Sequence, residues 1–133
     1  MDTITRLRPD GLVRSPAFSH VAVVPPGATT IYVGGQDAVD AEGRLVGEGD
    51  VAAQAVRALA NAKTALAAAG ATLDDVVQWT VLIAAGADLG AAYGAIAAEL
   101  ASDEPPLVTA ALVAGLGVPG ALVEIAAVAA VVR

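Results

Sequence analysis

The sequence predicts an α+β protein, a two-layer sandwich with two helices on one face of a mixed β-sheet. Three observations carry that expectation. Residues 51–69 and about 87–101 repeat apolar side chains at helical spacing. Short β-branched runs surround them at 21–24, 29–33 and 76–83. Two long, nearly all-apolar runs, 107–114 and 121–132, close the chain, as strands covered on both faces do.

The elements follow in order. Residues 21–24 form a strand that ends at the turn Pro25-Pro26-Gly27. Residues 29–33 are β-branched and aromatic and run into Gly34-Gly35-Gln36. Paired glycines at a strand end mark a bulge or a close backbone approach. Residues 40–43 read as a turn, which lets Leu45-Val46 pair back as a short third strand and makes the opening third a β-meander. The first helix has Asp50 as N-cap and Gly70 just past its end. Val56, Leu59, Ala62 and Leu66 form its apolar stripe, and Gln54, Arg57, Asn61 and Thr64 another face. In strand 76–83, Val77, Trp79, Val81 and Ile83 are expected on one side and Gln78 and Thr80 on the other. Leu89, Tyr93, Ile96 and Leu100 form the stripe of the second helix, which Pro105-Pro106 ends. The order is βββ-α-β-α-ββ. No repeat or long linker divides it, so residues 1–133 are expected to be one domain.

Composition narrows the function classes. Hydrophobic residues make up 56% of the chain and charged residues 16%, with mean hydropathy +0.68. So few polar groups cannot cover the surface of so small a domain, and burial against further copies of the chain is expected. The net charge of −7 and the scattering of only seven Lys and Arg residues argue against nucleic acid. The absence of cysteine and the single histidine exclude disulfides, thiolate sites and multi-histidine metal sites. No Gly-rich phosphate loop precedes a helix. Neither metal nor nucleotide cofactor is expected. Residues 1–14 lack the apolar region of a secretion signal, and 121–132 contains Glu124 and is too short to span a bilayer. A cytoplasmic location with no membrane partner is the expectation.

The order and spacing of several short segments are more specific. They are Gly35-Gln36 at the strand end; Gln54, Ala58, Asn61, Leu66, Ala68, Ala69 and Gly70 on the helix; Asp75-Val76-Val77 and Thr80-Val81 after it; then Pro106, Ala114 and Leu116, and Val123-Glu124-Ile125 with Ala129. Together they resemble the RidA family, also called YjgF or L-PSP, over nearly the whole chain. The resemblance implies a chorismate-mutase-like fold, a homotrimer, and small-molecule ligands in clefts between subunits. Active members hydrolyse reactive 2-imino acids, made by pyridoxal-phosphate enzymes, to 2-keto acids and ammonia, without metal or cofactor.

The resemblance also implies which residues would line such a cleft, and here the sequence departs from the family. An arginine two residues after the C-terminal proline usually clamps the substrate carboxylate, a task suited to its planar fork; that position is Val108. The neighbouring cysteine position is Ala110, the usual tyrosine corresponds to Phe18, and the serine before Gly-Gln is Gly34. The chain thus resembles a subgroup lacking the carboxylate-binding arginine. Glu124 is retained. It has two readings: a group that orients water or a proton for attack on an imine carbon, or a structural carboxylate at a subunit contact. Gly34 and Gly35 form either a backbone wall for a ligand or a bulge with unusual φ. His20 is either a substitute polar group or a satisfied residue. Tyr93 and Trp79 are expected in the core, Arg57 and Lys63 on a solvated helix face, and Gln54 and Asn61 in structural hydrogen bonds.

Two functions stay open on these residues. One is a hydrolase of imines or enamines with altered substrate preference, with Glu124 catalytic and Phe18, Gly34, Gly35, Val108 and Ala110 lining the ligand. The other is a non-catalytic trimer that binds a metabolite or a protein. A ribonuclease activity, once linked to the family name, is disfavoured by the acidic charge and the lack of a histidine pair.

Overall fold

A computed structural model describes residues 3–133. Its elements are β1 (Thr5–Leu7), β2 (Val21–Val23), β3 (Thr29–Gln36), α1 (Val51–Ala68), β4 (Val76–Ala84), α2 (Leu89–Leu100), β5 (Leu107–Val113) and β6 (Val123–Val131), with one 3₁₀ turn at Leu73–Asp75. The main sheet has the order β3-β6-β4-β5. Strands β4 and β5 are parallel, and β6 runs antiparallel to both its neighbours. Helices α1 and α2 pack on each other, and α1 lies over β6 and β3. This is the mixed sheet with two helices that the periodicities predict.

Local chemistry places the helices. Asp50 caps α1 by accepting from the Ala53 N–H at 3.0 Å, and Asp88 caps α2 from the Ala91 N–H at the same distance. Gly70 ends α1 with φ +76°, a conformation cheap only for glycine. Leu59, Ala62 and Leu66 are fully buried, but Val56 is exposed and Gln54 takes a core position instead.

The opening third differs from the expected meander. Strand β2 pairs with β1, a strand in the polar N-terminal segment that the sequence reading passed over, and β3 pairs with β6. Leu45 makes only an isolated bridge to Val39. Long-range pairing chose β3's partner, because β6 offers nine residues of apolar strand and the 45–46 segment only two. The face assignment in β4 also needs one correction. A register shift between Val76 and Gln78 puts Val76 into the core with Trp79 and Ile83, while Val77 leaves it.

One face of the sheet carries the core, with Val33, Trp79, Ile83, Val123, Ile125, Ala127 and Ala129 beneath the helices. On the other face, β3's Tyr32 is 79% exposed, and no element among the described residues covers it.

Candidate functional site

The β3 bulge decides which side chains meet. Val33 stands opposite Ala127 and Gln36 opposite Ile125, so Gly34 and Gly35 together oppose Ala126. The extra residue shifts the alternation of side chains by one. Gln36 therefore faces the helix side with Ile125, and Asp37 comes beside Glu124 on the side away from the helices. An unbulged strand would have placed Gln36 there.

Gly35 makes room for a close approach. A Cβ on it would lie 2.5 Å from Glu124 Oε2, 2.7 Å from its Cδ and 3.0 Å from its Cγ. A Cβ on Gly34 would meet nothing within 4 Å. Neither glycine has a left-handed φ, which removes the unusual-φ reading and keeps bulge and close approach. The Glu124 side chain thus lies along the backbone of Gly35.

Asp37 is the residue that sequence reasoning missed. It is only 7% exposed, and its Oδ1 is buried without a hydrogen-bond donor. Burial, followed by hydrogen bonding and charge repulsion from Glu124, pushes its carboxyl up to about 6. The available signal was its spacing: an acid two residues after a Gly-Gly bulge, just past a strand that pairs with one bearing a glutamate. The segment is held from α1. The Asn61 amide donates to the Asp37 carbonyl at 3.0 Å and the Val39 carbonyl at 2.9 Å, and Arg57 Nε donates to Asn61 Oδ1. Gln54, with no exposed surface, donates to the carbonyls of Gly47 and Gly120 and accepts from the Leu122 N–H at 2.8 Å. It ties the loop before α1 to the entry of β6. Both residues make the structural hydrogen bonds expected of them.

Val108 and Ala110 lie elsewhere. They pair with Trp79 and Val81, so they face the helix side of the edge strand β5. They line an apolar cavity of about 90 Å³ with Ala17, Leu89, Ala92, Tyr93, Ile96 and Ile125 among its walls. Small residues at 92 and 110 leave the gap between α2 and the sheet. Tyr93 is 49% exposed at its mouth and not in the core, because α2 leans on α1 and leaves the β5 edge uncovered. Trp79 is buried as expected.

Phe18 sits near the start of β5, since the adjacent Ser19 N–H donates to the Pro106 carbonyl at 3.2 Å. Its ring meets His20 edge-on at 5.4 Å. His20 is satisfied: its Nε2 contacts the Val13 carbonyl at 2.6 Å, and its backbone N–H donates to Leu7. Lys63 pairs with Glu99 at 2.7 Å.

Within one chain the structure therefore brings Gly34, Gly35 and Glu124 together with Asp37, and groups Val108 with Ala110, on opposite faces of the sheet. Among the described residues no three His, Cys, Asp or Glu side chains converge to hold a metal ion. No helix there is long and apolar enough to cross a membrane.

Comparison with known proteins places this arrangement. The family model described as Endoribonuclease L-PSP matches residues 12–131. A conserved Rid-family protein of unknown function, YyfB from Yersinia pestis, is 32% identical in sequence with a TM-score of 0.83, covering 97% of this chain and 98% of its own. RidA from an Antarctic Psychrobacter is 31% identical over 93% of each chain, with a TM-score of 0.68. The YjgF gene product of E. coli is also 31% identical, covering 83% of this chain and 85% of its own, with a TM-score of 0.68. This chain is a member of the endoribonuclease L-PSP family, known equally as the RidA or YjgF family.

Proposed function

We propose that this protein hydrolyses the carbon–nitrogen bond of a small imine, or of an enamine through its imine tautomer, as a homotrimer with its ligand in clefts between subunits. The observation that carries the reading is the Glu124 carboxyl laid against Gly35 on the uncovered face of the sheet. A carboxylate there can accept a proton from water as the water oxygen bonds the imine carbon and the C=N electrons move to nitrogen. The resulting carbinolamine then collapses. Glu124 returns that proton to the nitrogen, the carbinolamine hydroxyl passes its own proton by way of Glu124 to the same nitrogen as the C–N bond breaks, and ammonia and a carbonyl compound are released.

The trimer reading rests on faces and edges. Glu124 lies on one face and Val108 on the other, at an edge strand, so a second copy is needed to bring such residues to one cleft. Val108 in place of the arginine alters substrate preference, because valine neither donates a hydrogen bond nor carries charge. The apolar cavity at Val108 and Ala110 favours a second reading, a non-catalytic trimer that binds a metabolite or a protein.

The test is ammonia release from several imines generated in situ, with Glu124→Gln as control. Loss of a general base lowers turnover by about 10²-fold or more, and that is the expected result. Equal rates in wild type and variant would remove Glu124 from the reaction, and no ammonia release from any imine would overturn the hydrolase reading and leave the binding one. Light scattering on the same samples is expected near 39 kDa, three chains of 13.0 kDa. A stable monomer at micromolar concentration would remove the shared cleft.

A further inference from the structure

We propose that Asp37 and Glu124 form a recognition site for a cation, so that the ligand carries its charge on a protonated nitrogen, as an iminium does, and not on a carboxylate. The inference rests on the proposed site and deepens it by naming the ligand class.

Four observations support it. First, the bulge brings two carboxyl groups to one place on the sheet face turned away from the helices. Second, Asp37 is more than nine-tenths buried and its Oδ1 lacks a donor. A buried acceptor without a donor is costly, and a carboxylate can satisfy it only with a proton or a donor from outside. Third, no cation of the chain is assigned to the pair. Among the described residues, the ion pairs of Arg44 go to Asp40 and Glu42, and that of Lys63 to Glu99. Arg57, the basic residue on the adjoining face of α1, bonds Asn61 and acts on Asp40. Fourth, Val108 leaves the opposite end without a group for a ligand carboxylate, in a chain of net charge −7. Such a field attracts cations and repels anions.

The two carboxyls repel each other when both are ionised. Below about pH 6 a proton relieves that repulsion at Asp37; above it, a bound cation takes the proton's place. In the hydrolysis, Asp37 would accept a hydrogen bond from the iminium N–H while Glu124 takes the proton from water. Protonation of the nitrogen also makes the carbon a better electrophile, so the cationic form is the one that reacts.

The probe is acetamidinium, a stable planar C=N cation, compared with neutral acetamide and anionic acetate of the same shape. Binding is measured by calorimetry and protein NMR on the full chain between pH 5 and 8. Acetamidinium is expected to bind at pH 7.5 and acetamide and acetate at least tenfold more weakly, since a hydrogen bond to a charged group is the stronger kind. Its affinity should fall about tenfold by pH 5, where the competent ionised form of Asp37 is the minor one. Asp37→Asn should weaken it by on the order of tenfold and flatten the pH dependence. Asp37→Glu keeps the charge and is the second variant, expected to retain part of the binding if Asn disturbs the fold. Acetate binding as tightly as acetamidinium, no binding of the cation at all, or binding indifferent to Asp37→Asn in a folded protein would each overturn the proposal. Cation binding without turnover of any imine would instead sustain this site and overturn the hydrolase reading.

Discussion

At the junction of β3 and β6, the site residues are held by neighbours: Glu124 by the missing side chain of Gly35, Asp37 by Asn61 from α1. At the edge strand β5, Val108 and Ala110 are held by backbone pairing and look into an apolar gap. The first region has lost no freedom it could spare, since an added methyl group or a changed bulge would move a carboxyl. The second tolerates change, because Val108 is 41% exposed and borders an apolar gap. The difference teaches that residues proposed for one site need not share one local environment. Here Glu124 lies where backbone geometry constrains it, and Val108 lies where it does not.

The sharpest way to break this comparison is at the glycines. Gly35→Ala is expected to displace the Glu124 side chain and lower hydrolysis or cation binding by on the order of tenfold to a hundredfold, because small displacements of a reacting group carry costs of that size. Its stability should change little, since the displaced atoms belong to a flexible side chain. Gly34→Ala meets nothing within 4 Å and should leave both activity and stability within about twofold and ±0.5 kcal/mol. Parallel assays and thermal melts of the two variants check this. Equal loss in both would show that the bulge, and not the contact with Glu124, sets the requirement.

The second prediction tests the permissive region. Loss of a charge-assisted clamp of roughly 1.5–3 kcal/mol, at 1.36 kcal/mol per tenfold in rate, should put kcat/KM on 2-iminopropionate about ten- to a hundredfold below that of an arginine-bearing relative. Val108→Arg should recover part of the difference, with its stem along the cavity wall and its head in water. Recovery would sharpen the contrast between a constrained and a free end. Wild-type activity equal to that of the relative would mean that another cation already serves there.

The smallest effect is on stability. Asp37 has its carboxyl raised from the usual value to about 6 in the folded chain. A group so raised contributes stability below its unfolded value and loses it as pH rises through the folded one. Wild type should therefore lose stability between about pH 4 and 7, and Asp37→Asn, which never ionises, should not. Thermal melts are expected to differ by about 4 °C at pH 7.5, the equivalent of ~1 kcal/mol in a domain of this size, and to converge near pH 4. Parallel melting curves at every pH would show that Asp37 titrates as an ordinary carboxyl.

Periodicity by itself determined the two helices, their Asp50 cap and Gly70 end, and the apolar strands β4, β5 and β6, because each of these depends on neighbours within one or two turns or one strand. It also determined that Glu124 stands alone among apolar strand residues, and that the order of short segments along the chain resembles one family. The partner of β3, the strand at Thr5–Leu7, the exchange of Val76 for Val77 in the core and the exposure of Tyr93 were decided by tertiary structure. So was the meeting of Asp37 with Glu124, two residues separated by most of the chain. A strand reads out which side chains alternate. The bulge that shifts the alternation by one, and the strand that lies opposite, are set by what the whole sheet must bury.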